Sequence, residues 1–459
     1  MPLPVVAIFD IGKTNKKLFL FNEAYQIVFE KSVHLKETVD DDGDPCEDID
    51  SLQTFVRDGL KTILANQDFR IRAINSSAYG ATFLYLDASG KNVGHLYNYL
   101  KPYPAQLKKK FYDTYGGENL FSFQTASPVL GSLNSGMQLY RIKYEKPELF
   151  HSINYALHLP QYISYLVSGK TFSEITSIGC HTNLWNFQNM QYHQWVGREG
   201  LLEKFPDIAP SDMVVQPSSY PYCVGIGLHD SSAALIPYLV CFREPFVLIS
   251  TGTWAISLNP FNTTALNRLE LDCDCLCYLQ YKGTPVKASR LFAGHYHDEH
   301  VERIASHFSQ DKEKFFKLQF DKALLENIDI SFDATQDPRA VLKDLRFATR
   351  DLSSFRNDVE AYHQLIFDLV VQQYSSTQLI MKGSDVKRIF VDGGFSNNDV
   401  YMNLLASFFP GMEIFASSIP QATAIGAALA IHDAWNAEPF PTNIIDLKGY
   451  APQFGVTRF

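Results

Sequence analysis

The same local pattern occurs twice in this chain, about 240 positions apart. Residues 5–9 are a β-type run, Asp10-Ile11-Gly12-Lys13-Thr14-Asn15 is a polar turn, and residues 18–21 form a second run. Residues 26–33 then read as a third strand, which completes a meander. Further on, residues 246–249 are a strand, Ser250-Thr251-Gly252-Thr253 a turn, and residues 255–258 a strand. Two strand–polar turn–strand units point to an internal duplication in which each copy seeds one domain. The 459 residues are also too many for one compact core. We therefore expect an N-terminal domain over 1–244 and a C-terminal domain over 245–459.

Between and after these units the pattern is α/β. Residues 52–64 have helical spacing, 71–74 and 81–86 read as strands, and 102–222 mix helices with aromatic, Gly- and Asn-bearing loops. Residues 359–379 read as a long amphipathic helix. A strand over 388–391 runs into Asp392-Gly393-Gly394, followed by a helix over 398–409, a strand over 413–416 and a helix of small residues over 420–435.

A net charge of −10 argues against a nucleic-acid backbone as partner, because neutralising phosphates takes clustered Lys and Arg. No apolar run approaches the ~20 residues of a membrane span. The N-terminal segment lacks the basic start of a signal peptide. Cysteines are odd in number and contain no C-x-x-C pair; Cys273, Cys275 and Cys277 alternate as on one face of a strand. A reducing, cytoplasmic location and a monomer or homodimer are expected.

Four motifs carry chemistry. In the first turn, Gly12, Thr14 and Asn15 offer backbone and side-chain donors to phosphate, Lys13 adds a cation, and Asp10 at the strand end suits Mg²⁺. Thr251, Gly252 and Thr253 form a second, uncharged phosphate grip. Gly393 and Gly394, followed by Phe395 and Asn397, allow close backbone approach to a flat ligand such as adenine; the small-residue helix that follows Gln421 has the same property. Gly227-Leu228-His229-Asp230 leads into a helix start, where Asp230 is either a cap or the acceptor of a hydroxyl proton. Helix-dipole support there predicts an ordinary, ionised carboxylate.

These four motifs, in this order and over nearly the whole chain, resemble the FGGY carbohydrate kinases. The His229-Asp230-Ser231 triplet and the run Tyr79-Gly80-Ala81-Thr82-Phe83-Leu84-Tyr85-Leu86-Asp87 are most similar to rhamnulose and fuculose kinases. Asn134 with Gln138, Pro147-Glu148-Leu149, Leu159-Pro160, and Glu174 with Thr176 and Thr182 follow the same pattern. Thr82 stands where those kinases have an acidic residue, Gln161 where Asp is common, and Gln421 where Glu is usual, so the sugar is left open.

The resemblance implies two ribonuclease-H-like α/β domains, as in actin and the Hsp70 ATPase, flanking a deep cleft. ATP with Mg²⁺ would lie mostly on the C-terminal domain and the sugar on the N-terminal one. Asp230 would be the base, and Tyr79, Thr82, Gln161, Glu174 and His229 would contact a ketose such as L-rhamnulose or L-fuculose. A pentulose, xylulose or ribulose, is the alternative. A nucleotide-binding regulator without turnover is the rival from another class, and a chaperone-type ATPase a further one. His295, His297 and His300 beside Asp298 and Glu299 form a candidate Zn²⁺ cluster, disfavoured because His295 and His297 point apart on either regular element.

Overall fold

The computed structural model describes residues 1–217 and 220–455. Its contacts divide into two compact units that are not contiguous in sequence. The first comprises Met1–Cys241, Cys277–Pro285 and Gln421–Ile444; the second comprises Phe242–Leu276, Val286–Pro420 and Ile445–Phe459.

In the first unit, β1 (Leu3–Ile11), β2 (Lys16–Asn22) and β3 (Ile27–Val33) form the antiparallel meander, followed by α1 (Ile49–Ala65) and β4 (Phe69–Ala78). Later come α2 (Leu159–Ser168), the short strands β5 (Val214–Val215), β6 (Cys223–Gly225) and β7 (Leu228–His229), and α3 (Asp230–Cys241). The sheet order is β5–β6–β4–β1–β2–β3, and β7 also pairs with β4. β4 lies parallel to β1, and β6 and β7 lie parallel to β4.

The second unit repeats this plan. β8 (Phe246–Thr251), β9 (Ala255–Asn259) and β10 (Pro285–Leu291) form an antiparallel meander; α4 (Ala293–Phe308), α5 (Asp358–Met381), β11 (Arg388–Gly393), α6 (Asp399–Phe408) and β12 (Glu413–Ser418) follow. β11 lies parallel to β8, and β12 to β11. α7 (Ala422–Ala430) and α8 (His432–Trp435) belong to the first unit, and β13 (Asp446–Tyr450) pairs with β12 in the second. Meander plus parallel strands, twice, is the ribonuclease-H-like arrangement expected from the repeated pattern.

Local chemistry explains the elements. Asp48 caps α1 by accepting from Asp50 N, and Leu52, Phe55, Val56 and Ile63 bury one stripe of that helix. Gly59 lets the stripe close on the sheet, since a Cβ there would stand 3.1 Å from both Leu18 and Phe9. α5 departs from the amphipathic expectation, being buried on nearly every side. Its polar residues are bonded internally: Gln373 donates to Ser257 Oγ at 3.0 Å, and Asp368 holds Arg350 at 2.7 Å.

Two further sequence expectations are corrected. The strand of alternating cysteines starts only at Cys275, because Asp274 takes a left-handed φ of 59°. The helix expected over 420–435 is two helices. It begins after Gln421, itself at φ 56°, and breaks at Ile431.

The small residues of α7 are explained by its neighbour. A Cβ on Gly426 would stand 1.8 Å from Ala233 O on α3, so the two backbones meet with nothing between them. Gly426→Ala tests this contact. In an ordinary helix interior the change would stabilise by up to ~1 kcal/mol. Here overpacking should reverse the sign and cost about 1–3 kcal/mol in urea denaturation. A stabilised variant would refute the contact.

Candidate functional site

The candidate site of the first unit is built around Asp10 and Asp230, which lie near enough for their charges to interact. Asp10 is the penultimate residue of β1, opposite Ser77 of β4. The turn after β1 is closed by Gly12 N donating to Asn15 O at 3.0 Å. Lys16, fully buried, donates to Lys13 O at 3.0 Å and to Glu47 Oε1 at 2.8 Å, which pins the turn from beneath. Lys13 pairs with Glu37 at 2.8 Å, so its charge is already matched within the unit. Thr14 and Asn15 are exposed at the tip.

Asp10 Oδ2 accepts from Thr423 Oγ1 at 2.9 Å, and Lys17 reaches Gln421 Oε1 at 3.2 Å. Burial pushes the Asp10 carboxyl up to about 6; the Thr423 bond and Lys17 oppose the rise, and the like charge of Asp230 adds to it. Lys17 is thus the cation beside Asp10.

Asp230 is the first residue of α3. Its Oδ1 accepts from Ser231 N at 2.6 Å. About a third of the side chain is accessible, yet burial still raises its carboxyl to about 6. The expected ordinary carboxylate is therefore corrected: desolvation outweighs the helix N-terminus and the Ser231 bonds.

His229 is buried, and Gly80 makes the room, since a Cβ at Gly80 would stand 2.7 Å from the imidazole. Its Nε2 lies 3.2 Å from both Asp230 Oδ1 and Cys180 Sγ. Burial lowers its pKa to about 3, so the ring is neutral. A carboxylate only accepts, so the proton is assigned to Nε2. Nδ1 is then a buried acceptor with no protein partner.

Gln161 presents a similar group. Its Nε2 donates to Gly227 O at 2.9 Å, while Oε1 is buried and unpartnered. The Tyr79 hydroxyl lies beside Glu47 but outside hydrogen-bond geometry, and Ser77 Oγ is unpartnered as well. Glu174 differs from what was expected of it. Both its oxygens are engaged, by Thr176, Ser177 and Ser211, so it caps a short helix and has no acceptor to spare. It acts through Thr176, whose Oγ1 accepts from His229 N at 3.0 Å. Thr82 spends its hydroxyl proton on Tyr97 O at 3.2 Å.

The second unit holds a cavity of about 280 Å³ lined by Gly252, Thr253, Gly294, His297, Gly394 and Phe395, with Asn397 at its edge. Thr251 builds it without lining it: its Oγ1 donates to Asp392 O and accepts from Phe395 N at 3.0 Å. Gly393 is required by this framework, since a Cβ there would stand 1.8 Å from Thr251 O. Gly394 is different: nothing lies within 4 Å of its Cβ position, which opens to the cavity. Phe395 is stacked on Tyr401, with centroids 4.6 Å apart.

The histidines do not cluster. His297 and His300 are buried on α4, His295 is half-exposed, and His297 Nε2 meets Tyr362 Oη at 3.1 Å. Among the described residues the one grouping with metal-ligand spacing is Asp40, Asp41 and Asp42. Lys101 Nζ already sits there, 2.8 Å from Asp42 and 3.0 Å from Asp44. No described helix is long and apolar enough to cross a membrane.

Residues 5–230 match the family model described as the FGGY family of carbohydrate kinases, N-terminal domain, and residues 243–439 match carbohydrate kinase FGGY, C-terminal domain. Solved structures with a similar fold include a carbohydrate kinase from Novosphingobium aromaticivorans, at TM-score 0.76 and 21% identity over 98% of this chain and 95% of that one. Xylulose kinase from Rhodospirillum rubrum matches at TM-score 0.80 and 15% identity, over 98% and 94%. Plasmodium falciparum glycerol kinase with ADP matches at 0.73 and 14%, again over 98% and 94%. At these identities the likeness is one of fold.

The two raised carboxyls have a measurable consequence. A folded pKa near 6 against 3.8 unfolded means the folded state holds the extra protons between these values. Their contribution to stability therefore worsens as pH rises through this window. Asp10→Asn and Asp230→Asn should each stabilise the protein at pH 8, on the order of 1–2 kcal/mol after allowing for partial exposure, and hardly at all at pH 4. Equal effects at both pH values in thermal denaturation would contradict the assignment.

Proposed function

This chain belongs to the FGGY family of carbohydrate kinases, and from that premise we propose that it transfers the γ-phosphate of ATP to a terminal hydroxyl of a ketose, with Asp230 as the base. The observation that carries this reading is the company Asp230 keeps. A desolvated carboxylate is bonded to His229, whose Nδ1 is a buried acceptor without a protein partner, and Gln161, which holds the Gly227 turn leading into Asp230, has a second such acceptor in Oε1. Buried polar groups are nearly always satisfied, so a ligand rich in hydroxyl donors suits the place.

The chemistry follows from the geometry of each unit. Asp230 Oδ1 is held by Ser231, which leaves Oδ2 to orient the acceptor hydroxyl and take its proton. His229, neutral and donating to Asp230, accepts from a second hydroxyl, and Gln161 from a third. The surroundings of Asp10 fit a divalent cation: a desolvated carboxylate with a like-charged neighbour lacks the countercharge it needs. Asp10 would hold Mg²⁺, directly or through water, and the ion would neutralise phosphate oxygens when bound. Gly12, Lys13, Thr14 and Asn15 remain the proposed phosphate contacts of the first unit, with Thr423 and Lys17 added beside Asp10.

ATP's adenosine is assigned to the cavity at Gly394, with Gly252 and Thr253 toward the phosphates. We assign the sugar to the 6-deoxyhexulose class, L-rhamnulose or L-fuculose, on the His229-Asp230-Ser231 and Tyr79–Asp87 motifs. A pocket of acceptors rejects a sugar lacking a matching hydroxyl more sharply than one with extra bulk. A cytoplasmic enzyme is the corresponding setting.

A coupled ADP-release assay with L-rhamnulose, L-fuculose, D-xylulose, D-ribulose and glycerol tests the assignment. A clear preference for D-xylulose or D-ribulose would move the substrate to the pentuloses. Asp230→Asn should lower kcat by at least ~10²-fold and leave ATP affinity intact; wild-type turnover would reduce Asp230 to a helix terminus. Gly394→Val has room in the fold, so it should weaken ATP binding roughly tenfold by filling the cavity, with sugar binding unchanged. Unaltered ATP affinity by calorimetry in that variant would misplace the adenosine.

A further inference from the structure

Behind Asp230 lies a residue that none of the motifs includes. Asn75, on β4, is almost fully buried. Its Oδ1 accepts from Gly227 N at 3.1 Å, and its Nδ2 donates to Ala427 O at 2.8 Å. One planar amide thus ties together three segments: the β4 strand, the turn into Asp230, and α7. Each bears on the site. β4 is registered against β1, with Asn75 opposite Ile8 and Ser77 opposite Asp10. The Gly227 turn leads through Leu228 and His229, which also pair with β4, directly into Asp230. α7 carries Thr423, the hydrogen-bond donor to Asp10.

The place is built around this side chain. A Cβ on Gly225 would stand 2.4 Å from Asn75 Oδ1, so β6 must pass over the amide as bare backbone. Gly227 adopts φ 85°, and its peptide groups are held on both sides: its N–H by Asn75 and its carbonyl by Gln161. Only a carboxamide offers an acceptor and a donor from one rigid end. An Asp would turn an acceptor toward the Ala427 carbonyl, and an aliphatic residue would leave both backbone groups unsatisfied.

We propose that Asn75 is a positioning residue for phosphoryl transfer. Its amide sets the Gly227 turn, and with it the aim of Asp230, and it keeps Thr423 at Asp10 through α7. This rests on the reading of Asp230 as the base. Asn75 touches neither sugar nor nucleotide, so its loss acts on kcat and not on ATP affinity.

The test is steady-state kinetics of the full chain, with L-rhamnulose, L-fuculose and D-xylulose each as acceptor. Asn75→Ala, Asn75→Asp and Asp230→Asn are compared with wild type at equal concentrations of folded enzyme. Asn75→Ala should lose roughly 10- to 100-fold in kcat, the scale of a misaimed catalytic group, with KM for ATP within about threefold of wild type. Asn75→Asp keeps the acceptor for Gly227 N and loses the donor to Ala427 O, so its kcat should fall between the two. A folded Asn75→Ala enzyme with wild-type kcat overturns the proposal, whatever its melting temperature. If Asn75→Ala does not fold, wild-type kcat in Asn75→Asp overturns it. Asp230→Asn separates the two ideas. Turnover in that variant defeats the base itself, whereas an inactive Asp230→Asn beside a fully active Asn75 variant defeats only the positioning role.

Discussion

The contact between α3 and α7 is the constraint on which the site depends. Two helices normally keep their axes 8–10 Å apart because side chains stand between them. Gly426 removes that spacer and lets α7 rest on the Ala233 carbonyl. Everything α7 carries is then fixed relative to the first turn of α3. Thr423, one turn before Gly426, reaches Asp10; Asp230, one turn before Ala233, lies close enough to Asp10 to raise its pKa. A segment from the C-terminal end of the sequence thus completes the unit that the N-terminal end begins.

That closeness is electrostatically expensive. Two carboxyls pushed up to about 6 want protons or a cation, and the protein supplies only part of the remedy. Lys17 and the Thr423 hydroxyl offset the burial of Asp10, while Asp230 has only Ser231 and a neutral His229. Stronger pairing would stabilise the fold but would leave neither carboxylate free to act on a ligand. The pair is thus left with charge that the unit itself does not fully match.

Much of this was legible in the sequence, and the part that was not shares one cause. The two meanders, the strand ends at Asp10 and Thr251, and the helix start at Asp230 are local patterns, so periodicity and turn residues disclose them. The reasons for particular residues are mostly long-range. Gly393 answers to Thr251, some 140 positions away, and Glu174 caps its own helix. Asn75 drew no attention, because a lone Asn in a strand has no local signature and its partners are 152 and 352 positions distant. The ionisation of Asp230 was misjudged for the same reason: the helix terminus is visible in sequence, and the burial that overrides it is not.

The duplicated fold also explains why the two turns differ in chemistry. β1 and β8 occupy the same place in their sheets, each between its meander partner and a parallel strand. The first carries Asp10 one residue before its end, with its carboxylate bonded to Thr423. The second ends in Thr251, whose hydroxyl turns inward to Asp392 O and Phe395 N and is consumed by the framework. One scaffold therefore presents charge at its strand end, and the other presents bare backbone at Gly252 and an open surface at Gly394. Divergence of the residues at the strand ends of a repeated fold is enough to give its two turns different chemistry.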